Sequence, residues 1–396
     1  MTVTAHPRGR QFFQNPGPTN IPDRVLRAMD RAAIDFMGAE FGAIEMECFA
    51  SLKRLFKTRE TMFVYAASGH GAWEAAMVNI CSPGDKVLLP ETGYFSASWG
   101  AMATALGVIP EILPGDRRKG VDPAAVEARL KADTAREIKA VLLVHNETST
   151  GVAHPCAEVR QAIDRAGHPA LFLVDVISSL GSFDFRMDEW RVDVTVGGGQ
   201  KGLMLPPGIS FTGVSPKALA ATQSALLPRC YWDWRAMQAR QPQKFPGTAP
   251  VHMIYGLQEA LRLIEEEGLD QVFARHHRLA EATRRAVQAW GEGRGPELYA
   301  TDPRRRSDSV TAILLPAGHD AEAVRSTALS RFNVSLGGGL GDLKGRVFRI
   351  GHMGDLNEPM LLGAVAAVEM AFDICKVPHG KGGVDAAMAY LAQASA

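Results

Sequence analysis

From Met62 to Gly213 the chain alternates short apolar runs with stretches of helical hydrophobic period, and no other feature constrains its fold as much. Candidate strands are Met62–Tyr65, Lys86–Leu89, Val108–Leu113, Ala140–Val144, Leu171–Val174, Val192–Val196 and Ile209–Gly213. Helical patterns lie between most of them, among them Ala72–Ile80, Pro123–Ala132 and Ala157–Ala166. Such alternation predicts an α/β fold, a mostly parallel sheet with helices on both faces. Runs such as Leu171-Phe172-Leu173-Val174 are apolar throughout, as strands covered on both faces must be.

The rhythm changes after Gly213. Residues 215–260 carry few strand patterns and include a Pro-, Gly- and aromatic-rich stretch, Tyr231–Pro250. Two long helical patterns follow, Val251–Glu267 and Leu269–Trp290. Then Ser309–Leu315, Ala321–Phe332, Arg346–Ile350 and Glu358–Ile374 alternate strand and helix in a smaller α+β unit. The expected organisation is an arm over 1–20, a large domain over 21–264 and a small C-terminal domain over 265–396. Pro16, Pro18 and Pro22 make the arm extended, and such arms usually pack on something, often a partner subunit.

Charge excludes one class of partner. The 43 basic side chains equal the 43 acidic ones, and no basic stripe is present, so nucleic acid is not expected. The densest cationic run, Asp302-Pro303-Arg304-Arg305-Arg306, reads as a solvated loop. Five scattered cysteines without a CxxC pair argue against a disulfide framework or a zinc site and fit a reducing cytosol. The sequence starts without a signal-like apolar stretch, has no run long enough to span a bilayer, and ends without a peroxisomal address. The expectation is a soluble cytoplasmic protein.

Four places carry chemistry. Ala67-Ser68-Gly69-His70-Gly71 follows an apolar strand and opens a helix, where free N–H groups and the helix dipole favour a phosphate. An ordinary turn with Ser68 as N-cap is the alternative there. Asp175 ends a central strand pattern, where open α/β sheets bind ligands, although an N-cap or loop aspartate reads the same way. Lys201, in Gly199-Gln200-Lys201-Gly202, is accessible at a strand end. An enclosed site would make it an amine nucleophile, and an open one a plain surface lysine. Arg349 sits inside the apolar pattern Val347–Ile350 and needs a carboxylate, a phosphate or a structural ion pair. Phosphate cradle, buried acid, accessible lysine and carboxylate-binding arginine together are what pyridoxal phosphate chemistry requires.

With these residues in place, the chain resembles the class V, fold-type I aminotransferases of the serine–glyoxylate and alanine–glyoxylate type. The matching motifs, in the family's order and over nearly the whole chain, are Pro16–Asn20, Ser68–Gly71, His145–Gly151, Val174-Asp175, Gln200-Lys201 with Pro206–Gly208, Trp232–Trp234 and Arg349–His352. The resemblance implies a large domain with a mostly parallel seven-stranded sheet, a smaller C-terminal α+β domain, and pyridoxal 5'-phosphate. It implies Lys201 as Schiff-base lysine and proton shuttle, and Asp175 as partner of the pyridine nitrogen. Ser68, Gly69, His70 and Gln200 would hold the phosphate. Phe95 would stack on the ring, where some relatives carry tryptophan, with Ile177 on the other face and Thr148 at the phenolic oxygen. Arg349 would bind the substrate carboxylate, and Gly17 would leave room beside the arm. Thr248 would reach the phosphate from the neighbouring subunit, which implies a homodimer with shared sites; pairing of dimers into tetramers is open.

Two departures concern the substrate end. Asp35-Phe36-Met37-Gly38 stands where serine–glyoxylate enzymes usually carry an Asp-His-Arg run, and Gly247 replaces a larger residue. Both are expected to enlarge that end or make it less polar. The implied reaction is ping-pong transamination from serine, alanine or aspartate to glyoxylate, giving glycine. A lyase such as a cysteine desulfurase would want a histidine before the lysine, where Gln200 stands, and a reactive cysteine; Cys230 and Cys375 are expected to be buried or inert. A binding protein that retains the scaffold would not need Lys201, Asp175 and Arg349 together. A dinucleotide dehydrogenase lacks its glycine fingerprint here, and Gly337–Gly341 reads as a flexible loop near the substrate.

Overall fold

A computed structural model describes residues 9–240 and 245–393. Its centre is a seven-stranded sheet. Across the sheet the strands run Thr61–Tyr65, Ser210–Val214, Val194–Gly198, Leu171–Asp175, Ile138–Val144, Lys86–Pro90, Ile109–Leu113. Only Ser210–Val214 is antiparallel to its neighbours; the other pairings are parallel. The expectation of a mostly parallel α/β sheet therefore holds.

Two-sided burial explains why these strands are apolar at every position. Val141, Leu143, Phe172 and Val174 point into one core, with Phe56 and Phe211. Ala140, Leu142, Val144, Leu171 and Leu173 point into the other, with Trp73 and Trp99. The alternation has the two-residue period of a strand. Leu142, Leu143, Phe172 and Leu173 are fully buried. Each adds roughly 1.5–3 kcal/mol of apolar transfer, an upper bound set by the extended-chain reference.

Local signals place the helices. Asp122 caps Pro123–Ala132 by accepting from the Ala124 N–H, with Pro123 in the first turn. Asn357 does the same for Glu358–Ile374 through the Met360 N–H. Val251–Glu267 and Leu269–Trp290 fall where the pattern predicts, and Ala321–Phe332 likewise.

A second sheet of five strands runs Phe12–Gln14, Val334–Gly338, Val347–Gly351, Val310–Leu314, Glu297–Leu298. Trp290, Phe348 and Phe372 centre the core between it and the C-terminal helices. Phe12–Gln14 of the extended arm forms a strand that pairs in parallel with Val334–Leu336 of its own chain.

Gly337 and Gly338 correct one expectation. They belong to the strand Val334–Gly338 and pair with Arg349 and Phe348. A Cβ at Gly337 would meet the Pro16 ring at 2.6 Å, so glycine serves close approach of the arm rather than flexibility. The strand expected from Val192 starts at Val194, because Arg191 turns at φ 44°. Asp193 stays outside the strand, where its carboxylate accepts from the Phe172 N–H at 2.9 Å. Ala39–Phe56 and Tyr94–Ala105 are helices that periodicity did not reveal. Buried Glu45 and Ser51 blur the apolar stripe of the first. The second is made largely of apolar and small residues and has no contrasting polar face. Among the described residues no helix is long and apolar enough to cross a membrane.

Candidate active site

Three adjacent parallel strands end at the same edge of the large sheet. Ile138–Val144 leads into His145–Thr148, Leu171–Asp175 ends on its acid, and Val194–Gly198 leads into Gln200 and Lys201. This is the edge at which open α/β sheets bind ligands. The helix Gly69–Ile80 enters from the strand Thr61–Tyr65 with its N-terminus at the same edge. One pocket collects Gly69, His70, Phe95, Thr148, Asp175, Ile177, Gln200 and Lys201.

Asp175 is buried, and its carboxylate accepts from Trp73 Nε1 at 3.1 Å and from the Ile177 N–H at 2.6 Å. Burial raises it to about 7, helped by buried Glu147 and opposed by those hydrogen bonds and by Lys201. It has no ion pair among the described residues, so a donor or cation in the pocket would stabilise its charged form.

Lys201 Nζ donates to the Pro16 carbonyl at 2.8 Å. Burial lowers its ammonium to about 8; Arg349 adds to this and Asp175 opposes it. Gly17 passes directly against this side chain at φ 126°, and a Cβ there would overlap Lys201 Nζ. Thr19 fixes the backbone below, its N–H on the Gln200 carbonyl and its hydroxyl on the Lys201 carbonyl at 2.9 Å.

Arg349 enters from the small sheet. Its Nε donates to the Gly338 carbonyl at 2.7 Å and its Nη1 to the Thr148 carbonyl at 3.0 Å. Nη2 has no hydrogen bond among the described residues and remains for an anion. Burial lowers its guanidinium to about 10, and Glu147 opposes the shift.

The phosphate-type cradle is built by close approach. A Cβ at Gly69 would overlap the end of the Ile177 side chain, so glycine lets the helix N-terminus come down onto the pocket without displacing Ile177. Ser68 holds the N-cap position without a side-chain capping bond, which leaves its exposed hydroxyl free. Gln200 Oε1 and Asn146 Oδ1 are buried without hydrogen-bond partners.

Four expected residues lie elsewhere. Thr248 is exposed and does not reach the pocket of its own chain. Phe36 packs on the core of the large sheet, Met37 is exposed, and neither lines the pocket. Gly247 is exposed, with open space where its side chain would be. None of the five cysteines lines the pocket. Cys230 is exposed rather than buried, and Cys375 is half-buried.

The structure adds residues that carried no assigned role. Trp73 walls the pocket and lies one helical turn after Gly69, which a helix starting at Gly69 would have shown. Glu147 is fully buried and accepts from Thr92 Oγ1, the Phe95 and Ser96 N–H groups, and Ser149. Its carboxylate anchors the turn that presents Phe95, and burial raises its pKa.

Comparison with known proteins agrees with this architecture. Residues 11–340 match the family Aminotransferase class-V. The chain is 46% identical over 400 residues to the serine–glyoxylate aminotransferase of Methylorubrum extorquens, covering 99% of this chain and 98% of the relative. It is 44% identical over 384 residues to the L-aspartate–glyoxylate aminotransferase of Paracoccus denitrificans, covering 96% of each. The structure superposes on the ureidoglycine–glyoxylate aminotransferase of Bacillus subtilis with a TM-score of 0.89 at 26% identity, over 98% of this chain and 99% of that one. A family match over most of the length and two relatives this similar along nearly the whole chain lead to one conclusion: this protein is an enzyme of the class V aminotransferases.

Proposed function

We propose that the enzyme uses pyridoxal 5'-phosphate to move an amino group from a small L-amino acid to glyoxylate, giving glycine. L-serine, L-alanine and L-aspartate are the donors, in that order of expectation. One observation carries the reading: Lys201 and the buried Asp175 line one pocket, and Arg349, held by the Thr148 carbonyl of that pocket's wall, keeps a nitrogen without a hydrogen bond among the described residues. The names of the relatives supply glyoxylate as acceptor and serine or aspartate as donor.

The residues present fit the cofactor that the family implies. Gly69 and His70 at the helix N-terminus, with Ser68 and Gln200, offer donors to a phosphate. Phe95 and Ile177 supply apolar surfaces for a flat ring, and Thr148 a hydroxyl. Asp175 lacks a cationic partner, which a protonated pyridine nitrogen would supply.

Bound there, pyridoxal phosphate would contribute an aldehyde for an amine and an electron sink for the bond broken at the substrate Cα. The protein does the rest. Lys201 at about 8 is about one-tenth neutral at pH 7, whereas an ordinary lysine near 10.4 is almost wholly charged. Its amine is both nucleophile and the base that takes the Cα proton. Asp175 holds a proton on the ring nitrogen. Arg349, fixed by two carbonyls, orients the substrate carboxylate. The arm passing Lys201 leaves little room beside it, which suits a two-carbon acceptor.

Residues 21–264 then form the cofactor-binding domain and 265–396 the small domain; of the arm 1–20, residues 1–8 lie outside the described residues, and in the rest Phe12–Gln14 joins the small sheet while Pro16 meets Lys201. Thr248, exposed in one chain, would reach the phosphate site of a partner in a homodimer. Five unpaired cysteines suit the cytoplasm. The test is glycine formation from glyoxylate with each donor in turn. Turnover with at least one of the three is expected; no glycine from any of them would contradict the reading.

A further inference from the structure

The pocket is joined to the small sheet by a fully buried hydrogen bond. Asn146 lines the pocket, and its Nδ2 donates to Ser309 Oγ at 2.6 Å, 163 residues away in the chain. Asn146 is 2% exposed and Ser309 0%. The same amide nitrogen also donates to Ser178 Oγ at 2.9 Å. Ser309 Oγ accepts from Asn146 and shares a second hydrogen bond with Ser307 Oγ, 3.0 Å away. Ser307 Oγ in turn accepts from the Ser309 and Val310 N–H groups, so the chain runs on into the backbone at the start of the strand.

Ser309 sits at the foot of the strand Val310–Leu314. Its carbonyl accepts from the His352 N–H at 3.0 Å. Above it, Val310 pairs with Gly351 and Ala312 with Arg349. Ser309 is thus tied to the strand that carries Arg349. Two residues beyond Asn146, the Thr148 carbonyl receives Arg349 Nη1. The segment Asn146–Thr148 is fastened to the small sheet at both ends, once at the arginine and once at Ser309.

We propose that Ser309 is a positioning residue for donor binding: through Asn146 it pins the small sheet to the pocket wall and so sets the spacing between Arg349 and Lys201. The inference rests on the proposed role of Arg349 in holding the substrate carboxylate. Neighbouring rigid elements fix a substrate well only when their offset is fixed, and small misplacements cost rate and affinity. With the pin intact, the Asn146 amide is held by its nitrogen, and Oδ1, buried and unpartnered, is left for a donor group in the pocket.

The test compares holoenzyme Ser309→Ala with wild type and with Ser182→Ala. Ser182 is an equally buried hydroxyl whose hydrogen bond among the described residues is to Met353 Sδ at 3.5 Å, and it does not line the pocket. Two quantities are read: KM and kcat for the active donor, and calorimetric binding of glycolate, a small carboxylate with no amine to transfer. Ser309→Ala is expected to raise donor KM and glycolate Kd about tenfold, with kcat changed less than about threefold and Ser182→Ala like wild type. Ser307→Ala removes the hydroxyl that shares a hydrogen bond with Ser309 Oγ and should shift both in the same direction by less; it decides the matter if Ser309→Ala does not fold. Wild-type KM and Kd in Ser309→Ala, or equal losses in Ser182→Ala, would overturn the pin. A wild type that binds glycolate but transaminates no donor would contradict the proposed function instead, and the glycolate series would still decide the pin.

Discussion

The Lys201 ammonium donates to the carbonyl of Pro16, 185 residues away in the chain, at 2.8 Å. The arm that supplies this carbonyl belongs to the small sheet through Phe12–Gln14, whereas the lysine follows a strand of the large sheet. The reactive amine thus lies where the two sheets meet. Its neighbourhood depends on Gly17, whose φ of 126° and missing Cβ let the arm pass.

Gly17→Ala should therefore damage both backbone and site. The strained φ costs about 1–3 kcal/mol, and the displaced arm or lysine lowers kcat/KM by about a hundredfold. Urea unfolding and steady-state kinetics on one preparation check both. Wild-type kinetics in this variant would mean that the arm does not constrain Lys201.

Lys201→Ala removes the proposed nucleophile and base. Activity should fall by at least about a thousandfold. Borohydride reduction followed by mass spectrometry should find the cofactor's mass on the wild-type chain and not on the variant.

Asp175 gives a pH signature in the apoprotein. Its native carboxyl titrates at about 7, whereas the unfolded chain's is near 3.9. Between those values the native state holds a proton that the unfolded state has released. Its contribution to stability is therefore lost as pH rises through that window and stays lost above it. Asp175→Asn cannot ionise, so its stability relative to wild type should increase from pH 4 to pH 7. Urea melts across that range check the sign. Activity of the same variant should fall, because an amide does not hold the ring nitrogen's proton.

Glu147→Gln should weaken the turn under Phe95. Both carboxylate oxygens accept, one from Ser149 and the other from Thr92 and Ser96. An amide turns an N–H toward donors in either orientation. The expected loss is about 2–3 kcal/mol, read by denaturant unfolding, with weaker cofactor retention on dilution.

Much of this site was legible in the residues. Lys201, Asp175 and the Gly69 cradle stand directly after apolar strand runs, and parallel strands deliver their ends to one edge. What was not legible depends on contacts distant in the chain. Glu147 works by receiving N–H groups from a turn some fifty residues away. Asn146 meets Ser309 across the two sheets. Gly337 looked like loop because glycine clusters usually are, yet the Pro16 ring against it explains the glycine in a strand. Thr248 has no role within one chain, so its assignment waits on a partner.

The most direct measurement is the visible spectrum of the purified holoenzyme, before and after addition of L-serine, L-alanine or L-aspartate singly. An absorption band that one donor bleaches and glyoxylate restores is expected, because the amino group passes through the enzyme in two separable halves. A band that none of the three donors bleaches would contradict the proposed substrates. No band after supplying pyridoxal phosphate would contradict the role of Lys201 itself.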